Sequence, residues 1–210
     1  MSHETLESLC ARGVIPVVPA LGSDSALRLA SALKDGGLPV LEMTLRSENA
    51  LDLLRTLAAD EELLVGAGTV VRAEQVDQVL DAGARFVVTP GVSAAVLERC
   101  RELEMPVVPG VATATEVIAA LDHGVKLLKL FPAEASGGVA MIKALAAPFP
   151  EVRFVPTGGV SAENATSYLR LPAVAAVGGS WMVTPALSGD FEAVATLAAQ
   201  AVRIAAEARG

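Results

Sequence analysis

The chain has 210 residues, 52% of them hydrophobic, enough to bury one substantial core, and no Pro/Ser-rich or charged linker divides it into halves. A net charge of −8 argues against a nucleic-acid partner, because a phosphate backbone is bound by a broadly basic face, so any anion held here needs a local positive site. No apolar run approaches the ~18 residues of a membrane helix. The opening MSHETLESLCARG also lacks the basic start and long apolar stretch of a secretory signal, so the reading is a soluble cytoplasmic protein with no membrane partner.

After a short N-terminal helix, apolar runs recur at 14–20 (VIPVVPA), 39–45 (PVLEMTL), 63–67 (LLVGA), 85–89 (RFVVT), 106–109 (PVVP), 125–131 (VKLLKLF), 153–156 (RFVP) and 173–178 (AVAAVG). Several are nearly continuous in Val and Leu, as expected of parallel strands covered on both faces. The segments between them, such as SDSALRLASALKD and SAAVLERCREL, carry apolar residues at helical spacing and open with Ser or Asp as expected N-caps. Eight strands, each followed by a helix, predict an α/β fold, a (β/α)₈ TIM barrel forming a single domain over residues 1–210. A doubly wound open sheet is the rival, but it lacks the expected G-x-G-x-x-G after its first strand.

Two kinds of turn recur. Asp35-Gly36-Gly37, Asp81-Ala82-Gly83 and Asp122-His123-Gly124 each precede a strand, whereas Pro90-Gly91-Val92-Ser93, Pro109-Gly110-Val111-Ala112 and Gly158-Gly159-Val160-Ser161 lie at the other strand ends. This is a weak internal symmetry of strand–helix units, without a strict repeat. Cys10 and Cys100 form no disulfide framework and match no metal spacing, so they read as ordinary thiols.

The run KLLKLFPAE (126–134) sets two lysines in an apolar strand. Alternation along a strand points Lys126 and Lys129 to opposite faces. Lys129 lies at the C-terminal end, where active sites of this fold gather, whereas Lys126 is near the bottom and can snorkel outward. A desolvated lysine can act as a neutral amine that attacks a carbonyl and forms a Schiff base. The plainer alternative is a snorkelling or ion-paired lysine.

In PVLEMTLR, Val40, Glu42, Thr44 and Arg46 share one face, and Glu42 needs a cationic or polar partner if buried. It is either a core ion pair with Lys129 or Arg46, or a general acid/base for imine chemistry. Arg46, one step nearer the strand end, can clamp a carboxylate. Thr157-Gly158-Gly159 and Gly178-Gly179-Ser180 leave the last two strands, where barrel phosphate sites often lie. The only histidines, His3 and His123, fall away from that end, so neither a metal nor another cofactor is expected.

With these residues in place, the sequence resembles the 2-keto-3-deoxy-6-phosphogluconate (KDPG) and 4-hydroxy-2-oxoglutarate (KHG) aldolase family, along nearly its whole length. GLPVLEMTLR, VGAGTV, VVTPGV, VVPGVAT, GVKLLKLFPAEASGG, FVPTGGVS and VGGSW carry the likeness, and the stretch Gly124 to Gly138 is the most specific. The resemblance implies a class I aldolase with Lys129 as Schiff-base lysine and Glu42 as proton carrier. Arg46 and Thr69 would hold the pyruvate carboxylate and Phe131 would pack beside the pyruvyl group. Thr157 would contact the aldehyde-derived half, and Gly158, Gly159, Gly179 and Ser180 would form the phosphate pocket. Met43 stands where the family more often has a β-branched residue, a volume-conserving apolar change. Ser180 favours the phosphogluconate substrate over a galactonate-type relative. A small keto acid phosphate as ligand and a homotrimer are likewise implied by the family. The residues alone also fit two rivals, a phosphosugar isomerase or epimerase using Glu42 as base, and a non-catalytic sugar-phosphate sensor.

Overall fold

The computed structural model describes residues 2–19 and 21–210, without the side chains of Ser2 and His3; the His3 side chain and Ala20, the last residue of the first expected strand, lie outside the described residues. Helix α1 (Ser2–Arg12) leads into an alternation of strands and helices: β1 (Val14–Val18), α2 (Ser23–Asp35), β2 (Val40–Thr44), α3 (Ala50–Ala58), β3 (Leu64–Gly68), α4 (Ala73–Asp81), β4 (Phe86–Val88), α5 (Ala94–Glu102), β5 (Val107–Val108) and β6 (Gly110–Val111). Then come α6 (Ala114–Asp122), β7 (Leu127–Leu130), α7 (Gly138–Ala146), β8 (Arg153–Phe154), α8 (Ala165–Leu169), β9 (Val177–Gly179), a 3₁₀ turn (Thr184–Ser188) and α9 (Phe191–Arg209).

Every strand pair is parallel, because a helix returns the chain to the same starting end each time. The ladders form a six-stranded sheet in the order β5-β4-β3-β2-β1-β9 and a three-stranded sheet β6-β7-β8. The expected closed ring of eight strands is therefore present in a coarser form, as a parallel half-barrel sheet with a second, shorter sheet. The physical reason is local. Pro109 has no N–H to donate, so the expected strand at 106–109 becomes β5 and β6 on either side of it, and Gly110 lies inside β6 rather than in a turn beyond it. The expected strand at 173–178 shortens to Val177–Gly179, with Val174 keeping only an isolated bridge to Phe154.

The strands are buried on both faces. Leu29 and Leu33 of α2 and Leu53, Leu54 and Leu57 of α3 cover Val40, Leu41 and Val65, all at or below 1% exposure. Each aliphatic side chain so buried contributes about 1.5–3 kcal/mol. Among the described residues, no helix is long and apolar enough to cross a membrane.

The first recurring turn is a helix stop. At Gly37, Gly83 and Gly124 the chain takes φ of 76°, 90° and 75°. The next residue then donates back across the helix end: Leu38 to Leu33, Ala84 to Val79 and Val125 to Ala120. This left-handed geometry suits glycine, which has no Cβ to clash. The unit ending α5 makes the same turn, with Met105 donating to Cys100, but Glu104 adopts it at φ 51°. The expected Ser and Asp caps are corrected: α2 starts behind Gly22, Ser93 precedes α5, and neither helix has a side-chain cap bond. Ser23 is already inside α2, so its hydroxyl cannot serve as the residue before the first turn. Thr113 and Asp190 do cap, accepting from Glu116 and Ala193.

Candidate active site

Strand β7 puts Lys129 inside, at 6% exposure, and leaves Lys126 exposed just before the strand. Lys126 lines a cavity of about 570 Å³ at the N-terminal strand ends, with Cys10, Cys100, Met105 and Arg153. That cavity contains none of the candidate residues, all of which lie at the opposite, C-terminal ends of the strands. Its size says nothing about the chemistry.

Lys129 Nζ lies 3.2 Å from Glu42 Oε1, and both side chains are almost fully buried. The register brings them in: Glu42 sits opposite Val17 of β1 and Gly66 of β3, and Lys129 sits opposite Gly110 of β6. Of the two cations open to Glu42, the structure selects Lys129; Arg46 Nε instead reaches Thr44 Oγ1 at 3.3 Å. Thr44 Oγ1 in turn donates to Val18 O at 2.9 Å. A buried charge without a partner is costly, and each member of the pair offsets that cost for the other. Space for the carboxylate comes from Gly68, where a Cβ would stand 2.2 Å from Glu42 Oε1. The Phe131 ring lies 5.1 Å from Nζ, closing one side of the amine.

Arg46 follows β2 by two residues and is exposed, and its terminal guanidinium nitrogens have no partner among the described residues. Thr69, one residue past β3, holds φ at 63°. A β-branched residue rarely adopts that conformation, and such strain concentrates where a side chain must be aimed.

Thr157 is 6% exposed, with its hydroxyl against Gly178, where a Cβ would come within 2.3 Å of Oγ1. Gly178 N–H donates to Pro156 O at 2.9 Å, which sets the last two strand ends side by side. Gly158 and Gly159 both have positive φ, 98° and 80°. The N–H groups of Gly158, Gly159 and Val160 meet no protein acceptor among the described residues. Gly179 ends β9, and Ser180 is exposed beyond it, its carbonyl held by Val183 N–H (3.1 Å) and Thr184 N–H (3.0 Å). Free N–H groups beside an exposed hydroxyl make a surface for an anion.

Among the described residues no cluster of three or more His, Cys, Asp or Glu could hold a metal ion. Cys10 and Cys100 are free, and burial pushes both thiols up, Cys100 to about 12, so neither is poised as a nucleophile.

Residues 6–197 match the family described as KDPG and KHG aldolase. The chain belongs to that family. The KHG/KDPG aldolase of Escherichia coli K12 is 44% identical over 200 residues, 93% of this chain and 94% of that one. The KDPG aldolase of Legionella pneumophila, solved with pyruvate captured at low pH as a covalent carbinolamine intermediate, superposes with a TM-score of 0.89 at 40% identity, covering 92% of this chain and 96% of that one. The Zymomonas mobilis ZM4 KDPG aldolase with 3-phosphoglycerate gives a TM-score of 0.92 at 36% identity over 97% of both chains. The matched span contains every candidate residue of this aldolase.

Reading the sequence missed what three residues do in the site: Thr44 takes Arg46, and Gly68 and Gly178 make room for Glu42 and Thr157. Glycine inside a strand is a signal of close approach, and Gly66-Ala67-Gly68 carries it.

Proposed function

We propose that Lys129 is the Schiff-base nucleophile and Glu42 the proton carrier of a class I aldolase. The observation that carries this reading is the buried Lys129–Glu42 pair at the strand C-termini. The enzyme is an aldehyde-lyase that cleaves KDPG to pyruvate and glyceraldehyde 3-phosphate, and the family name adds 4-hydroxy-2-oxoglutarate, which has no phosphate, as a second substrate.

Lys129 Nζ, as the free amine, adds to the C2 ketone and forms a carbinolamine, the kind of adduct captured with pyruvate in the Legionella enzyme. Loss of water gives a protonated imine. Glu42, directly or through a water, takes the proton from the C4 hydroxyl as the C3–C4 bond breaks. The electron pair of that bond becomes the C2–C3 double bond of an enamine, the imine nitrogen loses its positive charge, and glyceraldehyde 3-phosphate leaves. Protonation at C3 restores the imine, and water then releases pyruvate and the free amine of Lys129.

Arg46 and Thr69 hold the carboxylate end, Phe131 packs beside the pyruvyl group, and Thr157 contacts the aldehyde half. Gly158, Gly159, Gly179 and Ser180 take the phosphate; the unpaired N–H groups of the first loop and the exposed Ser180 hydroxyl support this. We also read the two sheets as arcs of one eight-stranded barrel, with Val107–Val111 counted as one strand interrupted at Pro109. The Thr157–Gly178 bridge supports closure at the other seam. A single domain over the whole chain, a homotrimer and a cytoplasmic location complete the reading, on the strength of the family likeness.

The two ends of the site are separable by experiment. Ser180→Ala deletes one hydrogen bond to a charged group, worth about 1.5–3 kcal/mol, or roughly a ten- to 150-fold loss of kcat/KM on KDPG. Cleavage of 4-hydroxy-2-oxoglutarate and hydrogen exchange at the pyruvate methyl should barely change. Equal damage to all three reactions would mean that Ser180 supports the fold instead.

A further inference from the structure

Three polar side chains outside the reaction brace the Thr157–Ser161 loop from behind. Tyr168, on α8 and 1% exposed, donates its hydroxyl proton to Glu134 Oε1. Glu134, in the turn after β7, donates its backbone N–H to Gly158 O at 3.0 Å, and the neighbouring Ala133 N–H goes to Thr157 O at 2.8 Å. The Glu134 stem fills the space beside Gly159, where a Cβ would come within 2.6 Å of Glu134 Cγ. From the other side, Asn164 Nδ2 donates to Gly159 O at 3.0 Å while its Oδ1 accepts from Ser161 N–H at 2.9 Å.

The carbonyls of Thr157, Gly158 and Gly159 are thus each tied to the protein. In a planar trans peptide, the carbonyl of one residue and the N–H of the next point in opposite directions. Fixing those three carbonyls therefore aims three N–H groups, those of Gly158, Gly159 and Val160, the same three that have no protein acceptor among the described residues. Tyr168 matters because an exposed, untethered carboxylate at Glu134 could swing towards an arriving anion and repel it. Burial, reinforced by the Glu134 carboxylate, pushes the Tyr168 hydroxyl up, so it remains a donor.

We propose that Glu134, Tyr168 and Asn164 are positioning residues that pre-set the glycine loop for the phosphate of the substrate. The proposal rests on the reading of that loop as part of the phosphate pocket. It accounts for two polar groups, Glu134 and Tyr168, that touch neither Lys129 nor Glu42, and for a loop that offers its N–H groups without closing on itself.

The test uses inorganic phosphate as a competitive inhibitor of KDPG cleavage. Tyr168→Phe, which releases the Glu134 carboxylate, and Asn164→Ala, which frees the Gly159 carbonyl, should each weaken phosphate inhibition and raise KM for KDPG by about tenfold, the scale of one hydrogen bond to a charged group, with kcat little changed. Cleavage of 4-hydroxy-2-oxoglutarate should stay within about twofold, since it draws on no phosphate contact. Glu134→Gln keeps the stem and an acceptor for Tyr168, and should hold phosphate inhibition near that of the unaltered enzyme. Unchanged phosphate inhibition in Tyr168→Phe and Asn164→Ala would overturn the proposal while leaving the pocket reading intact, and so would equal losses on both substrates. Failure of phosphate to inhibit the unaltered enzyme would remove the pocket reading itself, and the proposal with it.

Discussion

Lys129→Met should abolish turnover of KDPG, by on the order of 10⁵-fold, because among the described residues no other side chain at the strand C-termini supplies an amine, and deletion of a covalent nucleophile acts on that scale. The same change should lower stability. It leaves the Glu42 carboxylate, 3% exposed, without its cation, and breaking a buried pair by removing one partner costs about 3–5 kcal/mol. Denaturant unfolding reads the second effect separately from the first. A double variant, Lys129→Met with Glu42→Leu, should recover much of the stability, since an apolar pair of similar volume often replaces a buried ion pair without loss. It should recover none of the activity. Substantial turnover in the single variant would show that Lys129 only neutralises charge, as an isomerase or epimerase would need.

Glu42→Gln should slow turnover by roughly 10²–10⁴-fold, the usual worth of a positioned acid/base, while keeping the fold. Glutamine preserves the shape that Gly68 accommodates and offers Lys129 a carbonyl oxygen, but it carries no proton between the steps. Pre-steady-state measurement should find both imine formation and enamine protonation slowed. An unfolded variant with no specific catalytic loss would assign Glu42 to structure alone, and near-normal turnover would reject it as proton carrier.

Some of this was legible in the sequence for simple physical reasons. Strand alternation separates Lys126 from Lys129 without any knowledge of the fold, and the structure puts one outside and one inside. The Asp-x-Gly turns could be read because glycine is the residue that stops a helix in left-handed geometry, although Glu104 shows that the turn does not need it. The partner of Glu42 was not legible. Lys129 is 87 residues away, and only the strand register decides between it and Arg46. The second half of the strand around Pro109 was not legible: PVVP reads as ending at Pro109 and Pro109-Gly110-Val111-Ala112 as a turn, whereas Gly110 and Val111 pair with Lys129 and Leu130. The brace around Gly159 was invisible for the same reason as the Glu42 pair: Tyr168 and Glu134 are 34 residues apart and meet only when the fold brings α8 beside the turn that follows β7.

The most direct test of the central claim is to reduce the enzyme with borohydride in the presence of pyruvate and map the product by peptide mass spectrometry. The account predicts one stable pyruvyl-derived adduct, on the peptide that carries Lys129 and on that residue, with activity lost in proportion to labelling. An adduct on Lys126 or Lys143, or full activity after exhaustive reduction with pyruvate, would contradict it.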